Sequence, residues 1–146
     1  MNTKNYFLLA LASAMLLGCQ QATPTADDAH AHAHEQLSVY VGQIKGFRDS
    51  VKTAFEAGTP KDCDGALHEA IHVLDEISHA TDFDQLSAED QDAAKASAKA
   101  LFDSFMTIHD GFHGGEVDAN AYDPVKDDMN TSIETLESLT AKLTGS

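Results

Sequence analysis

Ala94-Lys95-Ala96-Ser97-Ala98-Lys99-Ala100-Leu101-Phe102-Asp103-Ser104-Phe105-Met106-Thr107-Ile108-His109-Asp110-Gly111-Phe112-His113 is the stretch that decides the fold. Ala94, Ala98, Leu101, Phe105, Ile108 and Phe112 recur at steps of three and four. That spacing lines one face of an α-helix and is incompatible with the two-residue period of a strand. Just upstream, Ser87-Ala88-Glu89-Asp90 places an acid three residues after a serine, close to a capping box. Just downstream, Gly114-Gly115 stops the pattern.

Three more blocks carry the same period. Toward the N-terminus, a block from Glu35 to Ala57 presents Leu37, Tyr40, Val41, Ile44, Phe47, Val51, Ala54 and Phe55. Gly58 is placed as its stop, with Pro60 beyond. A shorter block carries Leu67, Ala70, Ile71, Leu74 and Ile77, with Asp62 or Asp64 available as cap. Toward the C-terminus, Asp123-Pro124 reads as a cap and first helical position for a block with Val125, Met129, Ile133, Leu136, Leu139 and Leu143. The segment from Ala80 to Leu86, with Phe83, is expected to close the floor beneath the second helix. No strand-like alternation and no internal repeat is present. The expected fold is all-α: four amphipathic helices with short connections, packed as an antiparallel up-down-up-down four-helix bundle.

The chain has 146 residues, a formal net charge of −15 and 42% hydrophobic residues. That length suits one domain, and the composition suits a globular one. The acidic balance excludes a nucleic-acid binder, because phosphate recognition needs a basic face.

Residues 1–18 read as a segment removed before folding. Tyr6 to Leu17 is a mostly apolar run, well short of the roughly 20 residues needed to span a bilayer. It ends in Leu16-Leu17-Gly18-Cys19, which resembles the lipobox of bacterial lipoproteins. The resemblance implies cleavage before Cys19 and acylation of that residue by diacylglycerol and palmitate-type chains. It also implies anchoring to the lipid bilayer; several chains on one residue hold stably where a single chain does not. Gln20 at the following position implies an outer-membrane address in that family, with the domain in the periplasm or at the cell surface. Residues 19–34 lack large apolar side chains and read as a flexible, histidine-containing tether, able to reach roughly 45–50 Å. Residues 35–146 form the helical domain. Cys63 is then the only free thiol. At the start of a helix the dipole is expected to lower its pKa, which makes it a candidate ligand; a plain small buried residue is the other reading.

The chemistry-bearing residues are the histidines. His68-Glu69-Ala70-Ile71-His72 opens the second block, and His109-Asp110-Gly111-Phe112-His113 closes the third. Histidines four apart share a helix face, so each pair can hold one ion. In an antiparallel register with His68 opposite His113 and His72 opposite His109, all four imidazoles reach one level. Imidazole suits zinc, copper, nickel and iron. Glu69 and Asp110 are candidate further ligands or acceptors for the imidazole N–H, as are Asp75 and Glu76. Helical geometry restrains this reading. His68 and His72 lie roughly 120° and 160° from the apolar centre of their helix, and His109 and His113 roughly 60° and 100° from theirs. A groove between the two helices, or a site shared between molecules, fits those angles better than a core site. Solvated boundary histidines on an acidic bundle are the alternative.

His68-Glu69-x-x-His72 also matches the zincin pattern of a zinc-dependent hydrolase. The third histidine of the longer motif is absent, since Ser78 stands there, and no strand is present to bind substrate. Glu69-x-x-His72 with Asp110-x-x-His113 resembles half of a di-iron centre, but the first and fourth helices offer no bridging glutamates. Haem attachment of the c type is excluded by the lack of Cys-x-x-Cys-His. A non-covalent haem beside Phe102, Phe105 and Met106 competes with the ordinary core reading of such a stripe. His30, His32 and His34 on the tether form a separate, weak metal-binding tract. The loop from Asp118 to Asp123 lacks the glycine and glutamate of a calcium loop.

The residues from Cys63 to Asp75, with Leu101-Phe102-Asp103-Ser104-Phe105 and His113-Gly114-Gly115, are similar to small secreted helical proteins of bacteria with no assigned activity. That resemblance implies a bundle and transfers no function. The sequence therefore suggests an envelope lipoprotein whose domain binds a divalent transition metal through His68, His72, His109 and His113. The competing reading is a metal-free structural or protein-interaction module. No complete catalytic set is present.

Overall fold

The computed structural model describes residues 35–113 and 118–145, with His113 described as backbone only. All of these belong to one compact unit, Ala33–Ser146. The expected signal peptide, Cys19 and the expected tether lie outside the described residues. Among the described residues there are four helices and no strand: α1 (Leu37–Glu56), α2 (Asp64–Glu76), α3 (Ala88–His113) and α4 (Lys126–Thr144). Short 3-10 turns cover Pro60–Cys63, Ile77–His79 and Phe83–Gln85. No helix among the described residues is long and apolar enough to cross a membrane.

The apolar stripes meet in one core. Leu37, Ile44, Val51, Leu67, Leu101, Phe105, Ile108, Met129 and Leu136 are fully enclosed. Ala94, Ser97 and Ala98 are also buried, small residues that let α3 approach its neighbours closely. Val39 is the one large apolar side chain that is exposed among the described residues. Ala80, Phe83 and Leu86 are buried as the floor segment requires.

Helix ends follow the sequence in two places and depart from it in two. Gly58 takes φ +72°, the left-handed conformation that glycine adopts without steric cost. The Gly58 and Thr59 N–H groups donate to the Phe55 and Ala54 carbonyls, which closes α1 in a Schellman motif. At α3, the Asp90 N–H donates to Ser87 Oγ at 3.2 Å, so the serine caps as expected.

Neither Asp62 nor Asp64 caps α2. The Pro60–Cys63 turn runs straight into the helix and supplies the acceptor itself, with the Asp64 N–H bonded to the Lys61 carbonyl. The fourth helix starts later than Asp123-Pro124. The Tyr122 carbonyl accepts the N–H groups of both Val125 and Lys126, so the chain turns once more before α4 begins. The Asp123 carboxylate instead pairs with Lys126 Nζ at 2.8 Å. Tyr122 is buried against Phe55, ring centroids 5.9 Å apart, and pins this connection to α1.

The floor segment also terminates α1 from a distance. Gln36 makes no side-chain cap. Asp82 Oδ1 accepts the Leu37 N–H at 2.8 Å, and the Thr81 N–H donates to the Glu35 carbonyl at 2.9 Å. One segment thus satisfies the start of α1 while covering the core below α2.

Candidate metal centre

The site is built where the start of α2 meets the end of α3. Asp64 and His68 are four residues apart on α2, so their side chains lie on one face, one turn apart. His109, in the last part of α3, faces them. Its Nε2 lies 3.4 Å from His68 Nε2, and the rings meet edge-on with centroids 4.6 Å apart at 79°. Asp64 Oδ1 lies 3.7 Å from His68 Nε2. One donor atom from each residue falls within 4.8 Å of the others.

The two sides of the site differ in exposure. Asp64 and His68 are each 54% exposed at the side chain, so solvent reaches the donors directly. His109 is only partly exposed, and its Nδ1 is shut off from solvent. That placement agrees with the boundary angle read from the sequence. It holds the ring between core and surface, with Nε2 aimed outward at His68.

At this distance an N–H of one ring can donate to the bare nitrogen of the other, the roles set by the tautomers. A cation seated between them takes both lone pairs, and the neighbouring carboxylate offsets part of its charge. Exposed Asp62, Glu69 and Asp110 flank the site in sequence and make its surroundings electronegative.

The structure brings together His68 and His109 from the expected set and adds Asp64. His72 is exposed on the next turn of α2 and does not join the group. The His-Glu-x-x-His pattern therefore does not converge as a zincin centre does: His68 finds its partner on another helix. The side chain of His113 lies outside the described residues. Glu69 and Asp110 are exposed and stand outside the group.

Cys63 corrects an expectation. Its thiol is buried and donates to the Pro60 carbonyl at 3.0 Å. Burial, reinforced by the Asp64 and Asp62 charges, pushes its pKa up to about 11, so the helix-terminus effect does not produce a thiolate. Asp64 is the candidate ligand that the sequence offers only as a cap. Its signal was the four-residue spacing to His68. The preceding 3-10 turn frees its carboxylate by taking over the capping role.

No family model matches the chain, and neither a curated protein nor a solved structure matches it.

Proposed function

We propose that this chain is a lipid-anchored protein of the bacterial envelope whose helical domain binds one divalent transition metal through Asp64, His68 and His109. The observation that carries the metal reading is the 3.4 Å approach of His68 and His109 with a carboxylate alongside. Two imidazoles and one carboxylate suit zinc, copper, nickel or iron and serve magnesium or calcium poorly. The lipid anchor rests on Leu16-Leu17-Gly18-Cys19 alone.

The helices are read as an antiparallel up-down-up-down bundle. Lys45 pairs with Glu137, and Arg48, three residues further along α1, meets Asn130, nearer the start of α4. Lys142, near the end of α4, reaches Asp90 at the start of α3. Helices α2 and α3 meet at His68 and His109, and again in a cleft of about 410 Å³ that Leu74 and Phe102 both line. Advancing along α1 from Lys45 to Arg48 moves back along α4 from Glu137 to Asn130, and advancing along α2 from His68 to Leu74 moves back along α3 from His109 to Phe102. The end of α4 meets the start of α3, which likewise supports antiparallel neighbours.

The test is a zinc titration of the full chain carrying His30→Ala, His32→Ala and His34→Ala, which removes the tether ligands. Calorimetry should report one ion per chain. His68→Ala or His109→Ala should weaken binding by roughly 100-fold or more, since even outer-shell changes cost 10- to 100-fold. His72→Ala should leave it unchanged. Binding that vanishes with the tether histidines, or that ignores His109→Ala, overturns the reading. For the anchor, Cys19→Ala should release the protein from the membrane fraction or leave an unprocessed precursor.

A further inference from the structure

A cleft of about 550 Å³ opens between the second half of α1 and the connection that leads into α4, and none of the proposed metal donors lines it. That size suits a small molecule, since ligand pockets run from about 300 to 1,000 Å³. Three of the nine cationic side chains of this acidic chain converge there, Arg48 and Lys52 from α1 and Lys126 from α4. Each has an acid of the cleft beside it. Arg48 Nε lies 2.8 Å from Asp49, Lys126 Nζ 2.8 Å from Asp123 and Lys52 Nζ 3.8 Å from Glu56. Asp127 is a fourth acid on the lining.

Two donors are built into the cleft. The Arg48 side chain is only 15% exposed. Its Nε–H donates to Asp49 and its Nη1 to Asn130 Oδ1, which fixes the plane of the guanidinium while engaging two of its five N–H groups. Tyr122 is 8% exposed and packs on Phe55, and its hydroxyl makes no hydrogen bond among the described residues. Burial raises its pKa against the pull of the Arg48 charge, so at neutral pH the hydroxyl keeps its proton and donates. A fixed guanidinium edge beside a neutral phenol is a carboxylate-binding arrangement. The two lysine pairs are about half exposed, and such pairs hold weakly, so their members can turn to a ligand.

The charges select the ligand class. A simple anion meets four carboxylates in the cleft and −15 over the whole chain. A simple cation meets three like charges and leaves the guanidinium and the phenol without an acceptor. A molecule carrying both signs answers both sets. Phe55, partly buried beside Tyr122, gives the cleft an apolar wall.

We infer that this cleft binds a small zwitterion of the α-amino-acid class, its carboxylate on Arg48 and the Tyr122 hydroxyl, its ammonium among the Glu56, Asp123 and Asp127 carboxylates and its side chain against Phe55. The inference is independent of the metal reading, because no donor of that site takes part.

Three probes that share one ring separate the charges: L-phenylalanine, 3-phenylpropanoate, which lacks the ammonium, and 2-phenylethylamine, which lacks the carboxylate. Each is titrated into the nitrogen-15-labelled full chain while the Arg48 Nε–H and the backbone amides are followed by NMR. The expected result is saturable movement of Arg48 and of amides in residues 48–56 and 122–130 with phenylalanine, and binding of the other two at least about tenfold weaker, as loss of one charged hydrogen-bonded group implies. Tyr122→Phe keeps the ring on Phe55 and should weaken binding about threefold or more, and Arg48→Lys about tenfold or more. Circular dichroism melting of both variants separates lost binding from lost fold. No saturable movement with phenylalanine up to about 20 mM, a concentration that detects even millimolar affinity, overturns the site. Equal binding of phenylpropanoate or of phenylethylamine overturns the zwitterion class. Movement confined to α2 and α3, or binding unaltered in both folded variants, overturns the location.

Discussion

At the residue scale, Asp64 and Cys63 are adjacent in sequence and differ in exposure and chemistry. Asp64 stands half in water and faces His68, whereas Cys63 turns its thiol into the core. The thiol has a measurable consequence. Its pKa is raised from an ordinary 9.0 to about 11 by burial, so the folded chain keeps a proton that the unfolded chain has lost between those values. The unfolded state binds fewer protons there, and stability must fall as pH rises from about 9 to 11, while below pH 9 the contribution is fully present. The loss should be of order 2 kcal/mol. Urea unfolding of the metal-free chain from pH 8 to 11 should show this slope, and Cys63→Ala should flatten it whatever its effect on absolute stability. An equally steep alkaline loss in the variant would assign the slope to other groups.

At the scale of elements, the ends of the helices show how far local chemistry reaches. Gly58 and Ser87 were legible as stop and cap because a left-handed turn and an N-cap are decided within a few residues. The start of α4 was not, because the Tyr122 carbonyl captures two N–H groups once its ring is buried on Phe55, and that burial is a tertiary event. The start of α1 is also completed from afar, by the Asp82 carboxylate 45 residues away. Asp82→Ala should therefore cost about 1 kcal/mol, as loss of an N-cap does, although Asp82 lies in a different segment. Chemical denaturation measures the cost, and amide exchange should localise faster opening to the first turn of α1. A loss spread evenly over all helices would contradict a capping role.

At the scale of the whole molecule, the candidate site ties two helices that the chain joins only through a run of 3-10 turns. An ion bound to the folded state alone stabilises it, by about 2.7 kcal/mol at a free concentration one hundred times its dissociation constant. Zinc should therefore raise the thermal midpoint of the parent by several degrees or more. It should leave His109→Ala near its metal-free value. A zinc-independent midpoint in the parent would remove the clamp between α2 and α3.

Much of this architecture was legible from residue order alone. The 3.6-residue period set four helices and nearly all of their buried faces, because burial of an apolar stripe depends on spacing within one segment. The same wheel correctly placed His68 and His72 toward solvent and His109 at the boundary. Register between helices is different in kind. It is fixed by how the buried side chains Leu67, Ala70, Leu74 and Ile77 fit into the core shared with α1 and α3, and one turn of sliding changes every cross-helix pair while leaving each stripe buried. The spacing of the histidine pairs suggested His68 opposite His113 and His72 opposite His109; packing instead set His68 against His109 and drew in Asp64. Sequence by itself determined which faces turn inward and which residue types crowd one end of the domain. Only tertiary packing decided which of those residues touch, because contact across helices is a property of two surfaces meeting and neither helix carries it alone.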